Sequence, residues 1–231
     1  MEMLGAVLTM LVTLDPALTG IVGLSLQVSL LAVLFAALIG APLGAALAIW
    51  SFPGRRAVLL IASTAMGLPP VVVGLVFYLL LSRAGPLGEW GLLFTPAAMV
   101  MAQTALVLPI VISLTHQAVR PLAMSYADMM ESFGASGRLR LATLIWDARF
   151  AVSTALLAGF GRAIAEVGAV LIVGGNINGH TRVMTTAIAM ETSKGALELA
   201  LSLGLVLLIV ALAVNAAMMA LASFGKRYEV A

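Results

Sequence analysis

Five long apolar stretches constrain this chain more strongly than any other feature of its sequence. A bilayer core of about 30 Å requires about 20 helical residues for each crossing. Stretches of at least that length occupy residues 21–50, 57–82, 96–119, 150–173 and 199–224, and only the fourth contains charged side chains. The sequence therefore predicts an all-α protein whose single domain, residues 1–231, crosses a bilayer about five times.

The composition agrees with a lipid environment. Hydrophobic residues make up 62% of the chain and charged residues 10%, which is more apolar surface than a water-soluble domain of this size can bury. Residues 3–14 are also apolar, but as a helix they would cover only about 18 Å. We expect them to form an interfacial or outward-facing segment and not a sixth crossing.

Lysine and arginine residues divide unevenly between the loops. Because cytoplasmic loops carry the excess of positive charge, the amino terminus is predicted outside and the carboxyl terminus in the cytoplasm. The outer loops hold Arg83, Arg182 and Lys194, and the inner loops hold Arg55, Arg56, Arg120, Arg138, Arg140, Arg149, Lys226 and Arg227.

Proline and glycine interrupt the first three apolar stretches. The clearest case is the run from Gly67 to Pro70, and Pro42 and Pro109 lie within the first and third stretches. Breaks at these positions free backbone carbonyls, which must be satisfied by neighbouring helices or by water. Either close helix packing through small residues or the lining of a pathway explains them.

The loop between the third and fourth stretches, residues 121–148, is predicted to form two short helices. Pro121 can open the first, and Ser125 and Asp128 have the spacing of a capping box. Gly134 can supply the left-handed residue that ends this helix. A second helix would begin near Ser136, with an apolar face formed by Leu141, Leu144, Ile145 and Ala148.

This loop resembles the coupling segment of ATP-binding-cassette (ABC) importer permeases, whose signature is Glu-Ala-Ala, three residues, Gly, and later Ile-x-Leu-Pro. Asp128, Met129 and Met130 stand in the place of Glu-Ala-Ala, and Gly134 falls on the Gly. Residues 144–147, Leu-Ile-Trp-Asp, depart from Ile-x-Leu-Pro. The resemblance implies a type I importer permease fold with a cytoplasmic coupling elbow.

In that family the elbow docks in a groove of a separate ATPase subunit. The chain has no Gly-x-x-x-x-Gly-Lys-Ser/Thr phosphate loop, so ATP and magnesium are expected on the partner and no catalytic residue on this chain. By resemblance, the residues that contact the ATPase are Tyr126, Asp128, Glu131, Ser132, Phe133, Gly134, Ala135 and Arg138.

Arg162 and Glu166 lie one helical turn apart inside the fourth stretch. Each charge costs about 2.5 to 3.5 kcal/mol at the membrane centre unless it is paired or hydrated. Two interpretations follow. Arg162 is a gate or way station for an anion, or the two charges neutralise each other and fix the register of the helix.

The segment after this stretch is polar and is predicted to face outward. Together with residues 162–168, it resembles the molybdate and tungstate branch of these permeases, and most of all the tungstate type. The resemblance implies a homodimer in a prokaryotic cytoplasmic membrane that imports an oxyanion from an extracytoplasmic binding protein. The pathway candidates are Arg162, Glu166, Gly174, Gly175, Asn176, Asn178 and Thr181, although turns favour Gly and Asn for structural reasons as well.

A stand-alone secondary transporter of a small anion is the main alternative. It would normally show an inverted repeat and membrane-embedded coupling-ion residues, and no convincing repeat is present. The chain has no cysteine, and His116 and His180 lack metal-ligand companions, so no metal site is predicted. No cluster of nucleophile, acid and base suggests an enzyme.

Overall fold

The computed structural model describes residues 16–229. The apolar residues 3–14, for which the sequence predicts an interfacial segment, lie outside the described residues. Within 16–229 the chain forms α-helices and one 3₁₀ turn, Gly88–Trp90, without a strand. The helices are α1 (Pro16–Ile49), α2 (Arg55–Ala65), α3 (Pro70–Leu81), α4 (Pro96–Ser125), α5 (Ala127–Ser132), α6 (Gly137–Asp147), α7 (Arg149–Ile164), α8 (Gly168–Gly174), α9 (Met184–Lys194) and α10 (Leu197–Glu229).

Three of the described helices are long and apolar enough to cross a membrane by themselves. They contain the segments Leu18–Ile49, Pro96–Ser125 and Leu197–Phe224. Two bent pairs, α2 with α3 and α6 with α7, bring the number of candidate spans to five if each pair counts as one. The all-α class is confirmed, with three to five candidate spans among the described helices.

The second predicted stretch is sharply bent. Helices α2 and α3 meet at an angle of 104°. The bend falls on the run from Gly67 to Pro70 that the sequence marked as an interruption, with Pro69 at the N-cap of α3 and Pro70 as its first residue. By contrast, α1 and α4 continue through Pro42 and Pro109.

The fourth predicted stretch, 150–173, is not one continuous helix. Helix α7 ends at Ile164 and α8 begins at Gly168, so Glu166 lies in the break between them. The sequence does not reveal this break, because the i, i+4 spacing of Arg162 and Glu166 fits an unbroken helix equally well. Pro121 is a second correction, since it lies inside α4 and does not open a new helix.

Small residues allow α1 and α4 to approach closely. A Cβ added at Gly44 would lie 2.5 Å from the backbone oxygen of Ile112, and one at Gly40 would lie 3.0 Å from a methyl group of Val111. Both glycines are buried. These contacts support close packing as the explanation for the glycines of the first stretch.

The chain divides into two compact units. The first comprises residues up to Ala32, Pro69–Gln103 and Gly161–Ala213, and the second comprises Val33–Leu68, Thr104–Phe160 and residues from Val214. The core of the first unit includes Val28, Met99, Val170, Met184 and Leu203, and that of the second includes Val107, Val111, Val119 and Leu144. Helices α1, α4, α7 and α10 contribute residues to both units.

Candidate functional site

The predicted elbow consists of α5 and α6, joined by a tight turn at Gly134. Gly134 has φ of +61°, the left-handed conformation that favours glycine. Its N–H donates to the oxygen of Glu131 at 3.0 Å, and the N–H of Ala135 donates to the oxygen of Met130 at 2.9 Å. These bonds satisfy carbonyls at the end of α5 and fix the direction in which the chain leaves it.

The predicted capping box of Ser125 and Asp128 does not form. Tyr126 is the N-cap of α5, and no side chain caps that end. Ser125 is the last residue of α4, and a residue in a helix lacks the extended backbone that an N-cap requires. The second helix is capped where the sequence indicated, because Ser136 Oγ accepts a bond from the N–H of Leu139 at 3.4 Å.

Arg140 stabilises the elbow through two hydrogen bonds to its backbone. Its Nε donates to the oxygen of Ala135 at 3.0 Å, and its terminal nitrogen donates to the oxygen of Met130 at 3.4 Å. Sequence reasoning counted Arg140 only as one of the inner positive charges. Because its two acceptors are backbone carbonyls on the other side of a turn, no side-chain pattern could have revealed this function.

The apolar face of α6 is confirmed. Leu144 is 1% exposed and Ala148 is also buried, while Leu141 and Ile145 are half-buried. At the start of the same helix, a Cβ added at Gly137 would lie 3.1 Å from the indole of Trp50, which follows the end of α1. Gly137 therefore allows the elbow to lie close against Trp50.

The opposite side of the elbow is exposed. The Phe133 side chain is 82% exposed and Met129 is 48% exposed, although both are apolar. Exposed apolar surface marks sites that contact another protein or the membrane. Of the residues expected to contact an ATPase, Asp128, Glu131, Ser132, Phe133, Gly134 and Arg138 are exposed, and Tyr126 and Ala135 are half-buried.

Arg162 and Glu166 form an ion pair at the end of α7. The distance between Arg162 NH1 and Glu166 Oε2 is 2.5 Å. The other carboxylate oxygen of Glu166 accepts a bond from the N–H of Ala169 at 3.2 Å, near the start of α8. Glu166 therefore joins the two halves of the broken helix, which fits the interpretation of a mutually neutralising pair.

A small polar pocket lies beside this break. Gln103 Nε2 donates to the oxygen of Ala163 at 3.0 Å, and Thr185 Oγ1 donates to the oxygen of Glu166 at 2.7 Å. Both carbonyls lie at the break; that of Ala163 also accepts the N–H of Glu166 at 3.1 Å, and that of Glu166 receives its bond from Thr185. The pocket is lined by Ser25, Ser29, Gln103, Ile164, Glu166, Val183, Met184 and Thr185.

Of the polar residues that follow α8, Thr181 and Asn176 are bonded to nearby residues of the chain. Thr181 Oγ1 donates to the oxygen of Gly174 at 2.5 Å and accepts from the N–H of Ile177 at 3.0 Å. Asn176 Nδ2 lies 2.9 Å from Met190 Sδ. Gly175 and Asn176 both have positive φ, +69° and +52°, so this turn uses residues that tolerate the left-handed conformation. Asn178 is exposed.

A second group of charged side chains, which the sequence did not reveal, joins the loop after α8 to α9. Glu191 is 7% exposed and lies 3.6 Å from Arg182 and 3.0 Å from Lys194. The i, i+3 spacing of Glu191 and Lys194 was a usable signal. No sequence signal pointed to Arg182, because its contact with Glu191 depends on how the loop after α8 folds.

The two histidines differ in their surroundings. His116 Nε2 lies 3.2 Å from a terminal nitrogen of Arg55, and His180 is exposed in the loop after α8. Over the described part of the chain, no group of three or more His, Cys, Asp or Glu side chains is arranged to hold a metal ion.

No family model matches the chain, but individual relatives do. It is 45% identical over 204 residues to a probable anion ABC transporter permease protein of Haloferax volcanii, covering 86% of this chain and 88% of that protein. The chain belongs to the family of ABC transporter permease subunits.

Two further relatives are tungstate uptake system permease proteins, both named TupB. The protein of Peptoclostridium acidaminophilum is 41% identical over 211 residues, covering 91% of this chain and 92% of its own length. The protein of Campylobacter jejuni is 41% identical over 166 residues, covering 72% of this chain and 70% of its own. As a member of this family, the chain is a multi-pass membrane subunit of an ABC uptake system and is not itself catalytic.

Proposed function

We propose that this chain carries a tetrahedral oxyanion, tungstate first and molybdate next, across a prokaryotic cytoplasmic membrane. The two relatives named for tungstate uptake support this cargo, because each is 41% identical to the chain. The probable anion permease supports the broader class. A stand-alone secondary transporter is the alternative, and no described feature specifically favours it.

The assembly that we propose contains two copies of this chain around one pathway. Residues 1–231 act as a single permease domain, with two ATPase subunits inside and an extracytoplasmic oxyanion-binding protein outside. ATP and magnesium bind to the ATPase subunits. The excess of arginine in the predicted inner loops supports an outer amino terminus and a cytoplasmic carboxyl terminus.

The observation that carries the coupling function is the geometry of the elbow. Phe133 is 82% exposed beside a turn that is held by hydrogen bonds at Gly134 and Ala135. A rigid turn passes a displacement on, whereas a flexible loop would absorb it. In the proposed mechanism, closure of the ATPase pair moves the elbow, and the elbow moves the membrane helices between outward-open and inward-open states.

For the pathway, the contrast between Arg162 and Glu166 is informative. Arg162 keeps 33% of its side chain exposed while one of its nitrogens binds the buried carboxylate of Glu166. A guanidinium has five N–H donors, so the remaining donors of Arg162 can meet a passing oxyanion. We propose that Glu166 positions Arg162 and that Asn178 faces the outer entrance of the pathway. The segment that holds Asn178 is shaped by Gly174, Gly175, Asn176 and Thr181.

The coupling function is tested by co-purification of the ATPase from native membranes. Phe133→Ala should reduce recovery of the ATPase at least about tenfold, since a buried aromatic contact at an interface is worth about 2 kcal/mol or more. Trp90→Ala is the matched control, because Trp90 is 64% exposed and lies outside the elbow. Equal recovery from both variants would contradict docking through Phe133.

The cargo is tested separately in vesicles that contain the complex and are supplied with the binding protein and ATP. We expect uptake of tungstate, then molybdate, with sulfate below both. A complex that hydrolyses ATP but moves none of the three would contradict the oxyanion assignment. Uptake by this chain without any ATPase would instead support the secondary transporter.

A further inference from the structure

We propose that Arg55 and Arg120 form a binding site for the phosphate of an anionic phospholipid. Arg55 begins α2 and Arg120 lies in α4, and both side chains reach the last turn of α1. Arg55 Nε donates to the oxygen of Leu47 at 2.6 Å, and Arg120 NH1 donates to the oxygen of Ala48 at 2.9 Å. The two guanidinium groups therefore bind the carbonyls of two consecutive residues of α1.

Among the side chains that the structure describes, this pair of positive charges has no carboxylate partner. No carboxylate whose side chain the structure describes forms an ion pair with Arg55, Arg56 or Arg120. His116, whose Nε2 lies 3.2 Å from a terminal nitrogen of Arg55, adds no negative charge either, because an imidazole ring is neutral or positive. Two adjacent guanidiniums repel each other, and a bound anion relieves the repulsion.

Capping of α1 does not account for both charges. The carbonyl end of a helix carries the equivalent of about half a negative charge, which compensates one of the two cations only in part. Each guanidinium has five N–H donors in a planar fork that suits phosphate oxygens. After the bonds described above, donors remain on both side chains.

The surroundings favour a lipid phosphate over a soluble one. Trp50 and Phe52, directly after α1, are 44% and 46% exposed, and Arg56 beside Arg55 is also exposed. Tryptophan is enriched at the level of lipid headgroups, where basic side chains attract anionic lipids. The site depends on the membrane location of the chain and does not depend on its cargo.

The test measures the thermal midpoint of the purified full-length chain in neutral detergent. The folded fraction that remains after heating is determined by size-exclusion chromatography. Phosphatidylglycerol should raise the midpoint by about 5 °C, the size expected for a saturating ligand of the folded state. Phosphatidylcholine and inorganic phosphate at the same concentration should not. Arg120→Gln and Arg55→Gln should each lose more than half of the phosphatidylglycerol shift.

Arg149→Gln is the matched control. Arg149 also donates to a backbone oxygen, that of Trp146 at 2.9 Å, but it stands apart from the pair at the end of α1. It should keep the full shift. An undiminished shift in Arg120→Gln would overturn the proposal, and an equal shift with inorganic phosphate would overturn the assignment to lipid.

His116→Glu covers the case in which the glutamine variants fail to fold. This change supplies a carboxylate next to Arg55 and keeps both capping arginines. We expect a higher midpoint in phosphatidylcholine and less than half of the wild-type gain from phosphatidylglycerol. A full gain in this variant would also contradict the proposal.

Discussion

The carboxylate of Glu166 and the guanidinium of Arg162 lie 2.5 Å apart, yet Glu166 is 3% exposed and Arg162 is 33% exposed. The two partners are therefore not equivalent. Removal of the arginine leaves a buried carboxylate without its counter-charge, whereas removal of the carboxylate leaves a cation that can turn toward water.

This asymmetry predicts different costs for the two neutral variants. Arg162→Gln should lower the free energy of unfolding by about 3 kcal/mol, and Glu166→Gln by about 1 to 2 kcal/mol, because Gln still accepts the bond from Ala169. The measurement is the thermal midpoint of each variant in the same lipid. A larger loss in Glu166→Gln than in Arg162→Gln would contradict the pairing described here.

The left-handed turn of the elbow predicts an order of tolerance at Gly134. No atom lies within 4 Å of a Cβ added there, so only the backbone conformation opposes substitution. Asn tolerates φ of +61°, whereas Ala costs about 1 to 2 kcal/mol and Val more. Recovery of the ATPase should follow the order Gly, Asn, Ala, Val. Recovery from the Val variant equal to that of the wild type would show that the turn is not required.

Thr181 should stabilise the segment that follows α8 through its hydroxyl. It is 1% exposed and bonds to Gly174 and Ile177. Thr181→Val should cost about 1 to 3 kcal/mol, because both backbone partners lose their bond, while Thr181→Ser should keep most of the stability. Limited proteolysis of sealed vesicles from the outer side reports the opening of the segment. Asn178→Ala, at an exposed position in the same loop, serves as the control and should not change the cleavage rate.

Close packing of α1 on α4 predicts a strong effect at Gly44. Its added Cβ would meet a backbone oxygen at 2.5 Å, which no side-chain rotation can relieve. Gly44→Ala should cost about 1 to 3 kcal/mol. At Gly23, also in α1, a Cβ meets nothing within 4 Å, so Gly23→Ala should be neutral or slightly stabilising. Equal midpoints for the two variants would contradict the close approach at Gly44.

Much of the fold could be predicted because span length and apolar composition are local properties. The first, third and fifth apolar stretches correspond to α1, α4 and α10. The bend at Gly67 to Pro70 was also predictable, since proline cannot continue a helical hydrogen-bond ladder. Pro121 was misleading, because a proline is tolerated inside a helix when the surrounding structure re-satisfies the freed carbonyl.

The candidate site was only partly predictable. Gly134 and the buried face of α6 follow from turn chemistry and helical periodicity. The break at Glu166 did not, because Gln103 and Thr185 bond to the carbonyls at the break from distant parts of the sequence. Long-range partners of this kind leave no periodic pattern in one sequence.

The paired prolines at the bend between α2 and α3 make that bend inexpensive in hydrocarbon. An ordinary break in a helix exposes N–H groups, and each needs an acceptor that lipid tails do not provide. Pro69 and Pro70 have no N–H, so two of the groups that a 104° change of direction would leave without an acceptor do not exist. Replacement of either proline by alanine would add a backbone N–H that requires an acceptor. A water molecule at the bend would have to supply that acceptor.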